Sequence, residues 1–142
     1  MFSFVVEKES ELKPLLELLE CQTKQSSIIL LSGELGSGKT TLVKHFCQHL
    51  GITESVSSPS FGLVNEYRTN SLSLFHFDLY RIKNIEELFE IGFEEYLNQD
   101  GICMIEWPEI ALPIINKYTP IIQLNIDFIA PKRKFELRLI DN

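Results

Sequence analysis

Two periodicities alternate along this chain. Short runs of branched and aromatic side chains mark strands, and leucines at helical spacing mark amphipathic helices. Phe2 to Val6 is rich in strand formers, and Glu9 to Leu19 then brings Leu12, Leu15, Leu16 and Leu19 onto one helical face. Within Ser27 to Ser32 the run Ile28-Ile29-Leu30-Leu31 is apolar without alternation, the pattern of a strand buried on both faces. A glycine-rich segment follows, and Lys39 to Leu50 continues as a helix that Gly51 can end in a left-handed cap.

Beyond the turn-forming Ser57-Ser58-Pro59-Ser60, strands are predicted over Phe61 to Arg68 and Leu72 to Tyr80. Thr69-Asn70-Ser71 between them makes an antiparallel hairpin. Ile85 to Asn98 reads as two short helices divided at Gly92. Ile102 to Ile105 is a short buried strand ending at Glu106-Trp107-Pro108, and Ile110 to Tyr118 a helix broken around Pro113. Ile121 to Ile129 and Phe135 to Ile140 are closing strands joined through residues 131 to 134. Interleaved strands and helices predict an α/β layer fold with a central, mostly parallel sheet, one antiparallel hairpin and flanking helices. No repeat, low-complexity tract or linker divides the chain, so a single domain over residues 1–142 is expected.

Composition narrows the picture. A chain of 142 residues with 44% apolar content has the size of one domain with one core. Such a domain buries roughly two thirds of its unfolded surface and needs no disulfide or structural metal. Cys21, Cys47 and Cys103 lack CxxC spacing and are expected as reduced core residues. There is no basic-then-apolar leader, and the apolar runs fall short of the ~20 residues that cross a bilayer, so a soluble, cytoplasmic protein is expected. The net charge of -7 opposes unaided binding to a nucleic-acid backbone, and any nucleic acid must be held through a partner. Lys132-Arg133-Lys134 is the only basic run, and a turn between two strands accounts for it.

The candidate chemistry centres on Gly33-Glu34-Leu35-Gly36-Ser37-Gly38-Lys39-Thr40. This segment fits GxxxxGK[ST], and it stands between a buried strand and a helix, the context in which that pattern cradles phosphates. Its glycines permit backbone angles closed to other residues and let N–H groups approach phosphate oxygens. The helix N-terminus adds partial positive charge. Lys39 is placed for the β- and γ-phosphates of ATP, Thr40 for magnesium, and Thr41 for the α-phosphate.

Two carboxylates are candidates for the rest of the site. Along Leu74-Phe75-His76-Phe77-Asp78, alternation sets His76 and Asp78 on one face, expected to be wet, and Phe75 and Phe77 on the other, facing a core. Glu106 closes an apolar strand, where an open α/β sheet presents groups to a ligand, and is the candidate acid that holds magnesium through water. A helix-capping or turn role for Asp78 and a surface acid for Glu106 are the blander readings. Pro108 is expected to hold Trp107 extended, as a core or partner contact. His45 and His49 lie one turn apart without a third ligand, and Arg68 and Arg81 are equally readable as solvated strand-end charges.

Taken together, Gly33 to Thr41, Ser58-Pro59-Ser60-Phe61 with Leu63-Val64-Asn65-Glu66-Tyr67, His76-Phe77-Asp78-Leu79-Tyr80-Arg81 and Ile105-Glu106-Trp107-Pro108-Glu109 resemble the TsaE family, also called YjeE. Its members are bacterial P-loop ATPases of the pathway that makes threonylcarbamoyladenosine in tRNA. The likeness runs in order from Ile28 to Glu109, and the C-terminal third matches in pattern only. The resemblance implies a P-loop NTPase-like three-layer fold, slow magnesium-dependent ATP hydrolysis governed by the partners TsaB and TsaD, and contact with tRNA through them. It implies that turnover resets the threonylcarbamoyl-transfer complex. The family's functional positions fall on Lys39, Thr40, Asp78, Glu106 and Trp107. Ser60 stands where the family usually has Thr in a switch-like segment near the γ-phosphate, keeping the hydroxyl and losing a methyl. A small-molecule kinase and an ATP-sensing module without useful turnover are the alternatives, although the chain shows neither an Arg-rich lid nor an acceptor pocket.

Overall fold

The computed structural model describes residues 1–24, 27–59 and 63–141. Strands β1 (Phe2–Val6), β2 (Ile28–Ser32), β3 (Val64–Arg68), β4 (Ser73–Asp78), β5 (Ile102–Glu106), β6 (Ile121–Ile129) and β7 (Lys132–Ile140) form one sheet. Their order is β1-β7-β6-β2-β5-β4-β3. The inner four strands, β6, β2, β5 and β4, are parallel, and β3, β7 and β1 add antiparallel edges.

Burial on both faces puts β2 at the centre. Ile29 and Leu31 join Leu74 and Met104 under α1 (Lys13–Gln22) and α2 (Lys39–His49). Ile28 and Leu30 join Phe75, Phe77, Cys103 and Ile105 under α3 (Glu86–Glu90), α4 (Phe93–Asn98) and α5 (Leu112–Ile115). Phe77 is held there edge-on by Phe93 at 5.0 Å and Tyr96 at 5.4 Å. The expected α/β fold of three layers is thus the one observed, with Phe75 and Phe77 facing a core.

The differences are local. The first helix begins as a 3-10 turn at Glu9–Leu12, because Pro14 lacks an N–H and fits only the first turn of α1. Pro113 likewise opens α5 rather than breaking a helix, and a separate 3-10 turn occupies Pro108–Ala111. Gly92, at φ 71°, divides α3 from α4 as expected, and Gly51 ends α2 at φ 88°. The basic run is not a turn: β7 already starts at Lys132, so Ala130 and Pro131 alone connect the two closing strands. Cys47 and Cys103 are core residues whose thiols burial pushes up to about 12, whereas Cys21 is exposed on α1. Among the described residues, no helix is long and apolar enough to cross a membrane.

Candidate functional site

Parallel pairing aligns the carboxyl ends of β2, β5 and β4. Leu31 pairs with Glu106, and Glu106 with Asp78, so both candidate acids arrive beside the loop that leaves β2. An open cleft of ≈ 290 Å³ results, lined by Leu35, Gly36 and Gly38 to Thr41 of the loop and by Ser58, Asp78, Tyr80, Glu106, Trp107 and Arg133.

The loop has the shape of a cradle. Gly33 is obligatory, because a Cβ there would lie 2.6 Å from both the Ile126 carbonyl and Ser37 Oγ. Gly38 has φ 107°, a value that favours glycine, and launches α2. The Ser37 hydroxyl is buried and has no protein partner among the described residues. Glu34 and Leu35 are exposed at the outer rim.

Lys39 is folded back on this loop. Its ammonium donates to the carbonyls of Gly33 at 2.6 Å and Glu34 at 3.0 Å, and sits 4.2 Å from the centre of the Trp107 ring. Burial lowers its pKa from the ordinary 10.5, against the opposing pull of Glu106, Asp78 and Glu109. A desolvated cation beside an open cleft is suited to an anionic ligand that replaces the two carbonyls.

Glu106 is not a surface acid: it is 3% exposed. Its Oε2 accepts the Thr40 hydroxyl at 2.9 Å and bonds His76 Nε2 at 2.5 Å. With its single proton given to Glu106, Thr40 receives the Ser58 hydroxyl at 3.2 Å. A hydroxyl at the start of α2 and a carboxylate at the end of β5 thus converge, and that pair could take a hard divalent cation together with phosphate oxygens and water. Asp78 is half-buried at the rim and accepts a hydrogen bond from the Tyr80 N–H at 3.1 Å, so it serves the turn after β4 while lining the cleft.

Two expectations are corrected. The His76 side chain is not wet: it lies on the sheet face that carries the apolar cluster of Leu74 and Tyr67 and is 0% exposed. Trp107 is not extended. At φ 56° and ψ 58° it adopts a left-handed conformation that turns the chain from β5 into the 3-10 turn, at a cost of about 1–3 kcal/mol. Its ring is held between Lys39 and Tyr80, whose ring centre lies 4.9 Å away.

Other candidates fall elsewhere. His45 and His49 face Glu9 at 3.5 Å and Glu20 at 2.9 Å, away from the cleft. Arg68 pairs with Glu66 and lies opposite Ser73, at the end of β4 far from Asp78, and Arg81 is exposed outside the cleft lining. Ser60 lies outside the described residues.

Arg133 is the residue that sequence reasoning missed. Its Nε donates to the Ser37 carbonyl at 2.9 Å, and its guanidinium lies 4.5 Å from the Phe128 ring, the register partner across β6 and β7. Strand alternation was the available signal, since it turns Arg133 opposite to Lys132 and Lys134. The side chain reaches the loop only because β6 is hydrogen-bonded to β2.

Comparison with known proteins adds kinship to this geometry. The model of the family "Threonylcarbamoyl adenosine biosynthesis protein TsaE" matches residues 6–135, past the point where motif resemblance alone stops. A protein of Rickettsia felis called tRNA threonylcarbamoyladenosine biosynthesis protein TsaE is 37% identical over 134 residues, covering 92% of this chain and 75% of that one. The protein of the same name from Bacillus subtilis is 34% identical over 135 residues, covering 89% and 84%. The crystal structure of Bacillus subtilis YdiB superposes with a TM-score of 0.72 at 26% identity, covering 99% of this chain and 86% of that one.

Proposed function

The chain belongs to the TsaE family, and on that premise we propose that it binds ATP with magnesium, hydrolyses it slowly, and serves threonylcarbamoyladenosine synthesis in tRNA. The observation that carries the reading is the Thr40–Glu106 hydrogen bond, which joins the phosphate-binding loop to the acid of the neighbouring strand. The loop's glycines suit a phosphate cradle: Gly33 admits the close approach of the Ile126 carbonyl and Ser37, and Gly38 takes the left-handed turn that starts α2. Lys39 would leave its two carbonyls for the β- and γ-phosphates, restoring to the ammonium the counter-charge that burial denies it. Thr40 and Glu106 would hold magnesium, which supplies neutralising charge to the phosphates. Among the described residues no three His, Cys, Asp or Glu side chains form a cage, which suits an ion shared with phosphates and water. Asp78 at the rim would orient the attacking water.

Past Thr41 a second cavity of ≈ 240 Å³ opens between β1, α2 and β7, with Lys8, Glu9, Thr41, His45, Arg133 and Phe135 among its lining residues. Sugar and base would leave the phosphates in that direction. Arg133 would stand between the two, adding positive charge and tying β7 to the loop. Arg133→Ala is expected to weaken ATP binding about 10-fold or more, as for loss of a hydrogen bond to a charged group. Titration with a fluorescent ATP analogue checks this, and unchanged affinity removes Arg133 from the site.

The finer reading sets the chain beside TsaB and TsaD, with tRNA approached through them, a route that the acidic charge of -7 favours over direct binding. Its turnover resets the transfer complex. The test is hydrolysis by the isolated chain and with those partners, alongside repeated rounds of tRNA modification. Slow turnover that changes with the partners and sustains later rounds is the expected result. Phosphate passed to a metabolite, with indifference to the partners, favours a kinase instead.

A further inference from the structure

Of the three histidines only His76 is buried, at 0% exposure, and the chemistry assigned to the cleft makes no use of it. It lies in β4 between its register partners Asn65 and Met104, on the sheet face that also carries Leu74 and Tyr67. Its Nε2 is 2.5 Å from the Glu106 oxygen that also accepts the Thr40 hydroxyl. An ionised carboxylate can only accept, so the ring must present Nε2–H there. The other ring nitrogen, Nδ1, is left over as a polar atom in need of a partner. That atom is buried and has no partner among the described residues.

A buried polar atom without a partner costs folding free energy that an apolar side chain of similar size would not incur. Packing therefore does not account for an imidazole at this position, whereas Glu106 does. We propose that His76 is a positioning residue: from the strand beside β5 it holds Glu106 Oε2 against Thr40, so that the carboxylate meets magnesium in one prepared orientation. The His76–Glu106–Thr40 chain spans β4, β5 and the start of α2, and the ion is thereby served by a group that never touches it. This rests on the reading of the cleft as a magnesium–ATP site. It assigns His76 to the metal-dependent part of binding and leaves phosphate capture by the loop untouched.

The discriminating variants are His76→Met, which restores apolar packing and removes the donor, and His76→Gln, whose amide can donate to Glu106. Three quantities are measured for the whole chain: the nucleotide-free melting temperature, ATP affinity in magnesium and in EDTA, and turnover at saturating ATP. His76→Met is expected to melt at or above wild type and to bind ATP normally in EDTA. It should lose about 10- to 100-fold of the affinity gained from magnesium, with turnover falling by a similar factor, as when the outer partner of a metal ligand is removed. His76→Gln should recover most of both losses. Should His76→Met melt low, His76→Asn, too short to reach Glu106, decides on the same two affinities. A variant without the donor that keeps the full magnesium gain overturns the positioning role alone. A wild-type chain that gains nothing from magnesium overturns the cleft reading, and this proposal with it.

Discussion

Lys39→Ala is expected to abolish measurable ATP turnover while leaving the chain folded. The ammonium is the cation held closest to the loop carbonyls, and removing one preorganised electrostatic donor costs about 10²–10³ in rate. For a slow enzyme that falls to background. Circular dichroism and a phosphate-release assay check both halves, and turnover at the wild-type rate would remove Lys39 from the chemistry. The same lysine sets a pH dependence. Burial lowers its folded pKa below the ordinary 10.5, so the charged form costs stability at neutral pH. That cost is fully present below the lowered value and disappears as pH rises through it towards 10.5. The catalytic consequence has the opposite sign, because the free enzyme loses its cation there. The alkaline limb of kcat/KM should therefore fall at a pH below 10.5, and a limb at or above that value would contradict the assignment.

Glu106→Gln carries the second large expectation: hydrolysis falls about 10²–10³-fold while ATP binding in the absence of magnesium is kept or strengthened. The amide keeps the size of the side chain and one acceptor for Thr40 or His76, but it removes the negative charge offered to the ion. Less charge near the phosphates can only favour the free nucleotide. Glu106→Ala should behave differently in stability, since the buried His76 N–H and the Thr40 hydroxyl would both lose their acceptor, at about 1–3 kcal/mol each. Isothermal titration with and without magnesium, beside a turnover assay, separates the two effects. Unaltered turnover in the Gln variant would return Glu106 to a purely structural role.

Much of this site was legible because local pattern carried it. The run Ile28 to Leu31 announces a strand apolar on both faces, and the glycines after it have a stereochemical reason that needs no partner. Phe75 and Phe77 against His76 and Asp78 follow from strand alternation. What alternation does not convey is what lies over each face. His76 was expected to meet water because polar residues on strands usually do, and it is sealed because its sheet face carries an apolar cluster gathered from distant parts of the chain. Trp107 shows a different limit. The proline after it disfavours helical angles, yet Trp107, with its ring against Lys39 and Tyr80, adopts a left-handed conformation that no dipeptide preference predicts. Arg133 was hidden for the same reason as His76. Its relation to Ser37 exists only through the pairing of β6 with β2, which joins distant parts of the sequence.

That pairing bears on how the protein emerges from synthesis. Ile28 finds Cys103 on one side of the central strand, and Ile29 finds Ile122 on the other. The strand that launches the glycine-rich loop is made early but acquires its hydrogen-bonded neighbours late, and such non-local parallel pairing is slow to form. A nascent chain that has passed the glycine-rich segment therefore carries the whole motif without the strands that frame it. The cleft is complete only once β7 has followed β6 and brought Arg133 to the loop, so a half-made copy has the loop without its surroundings.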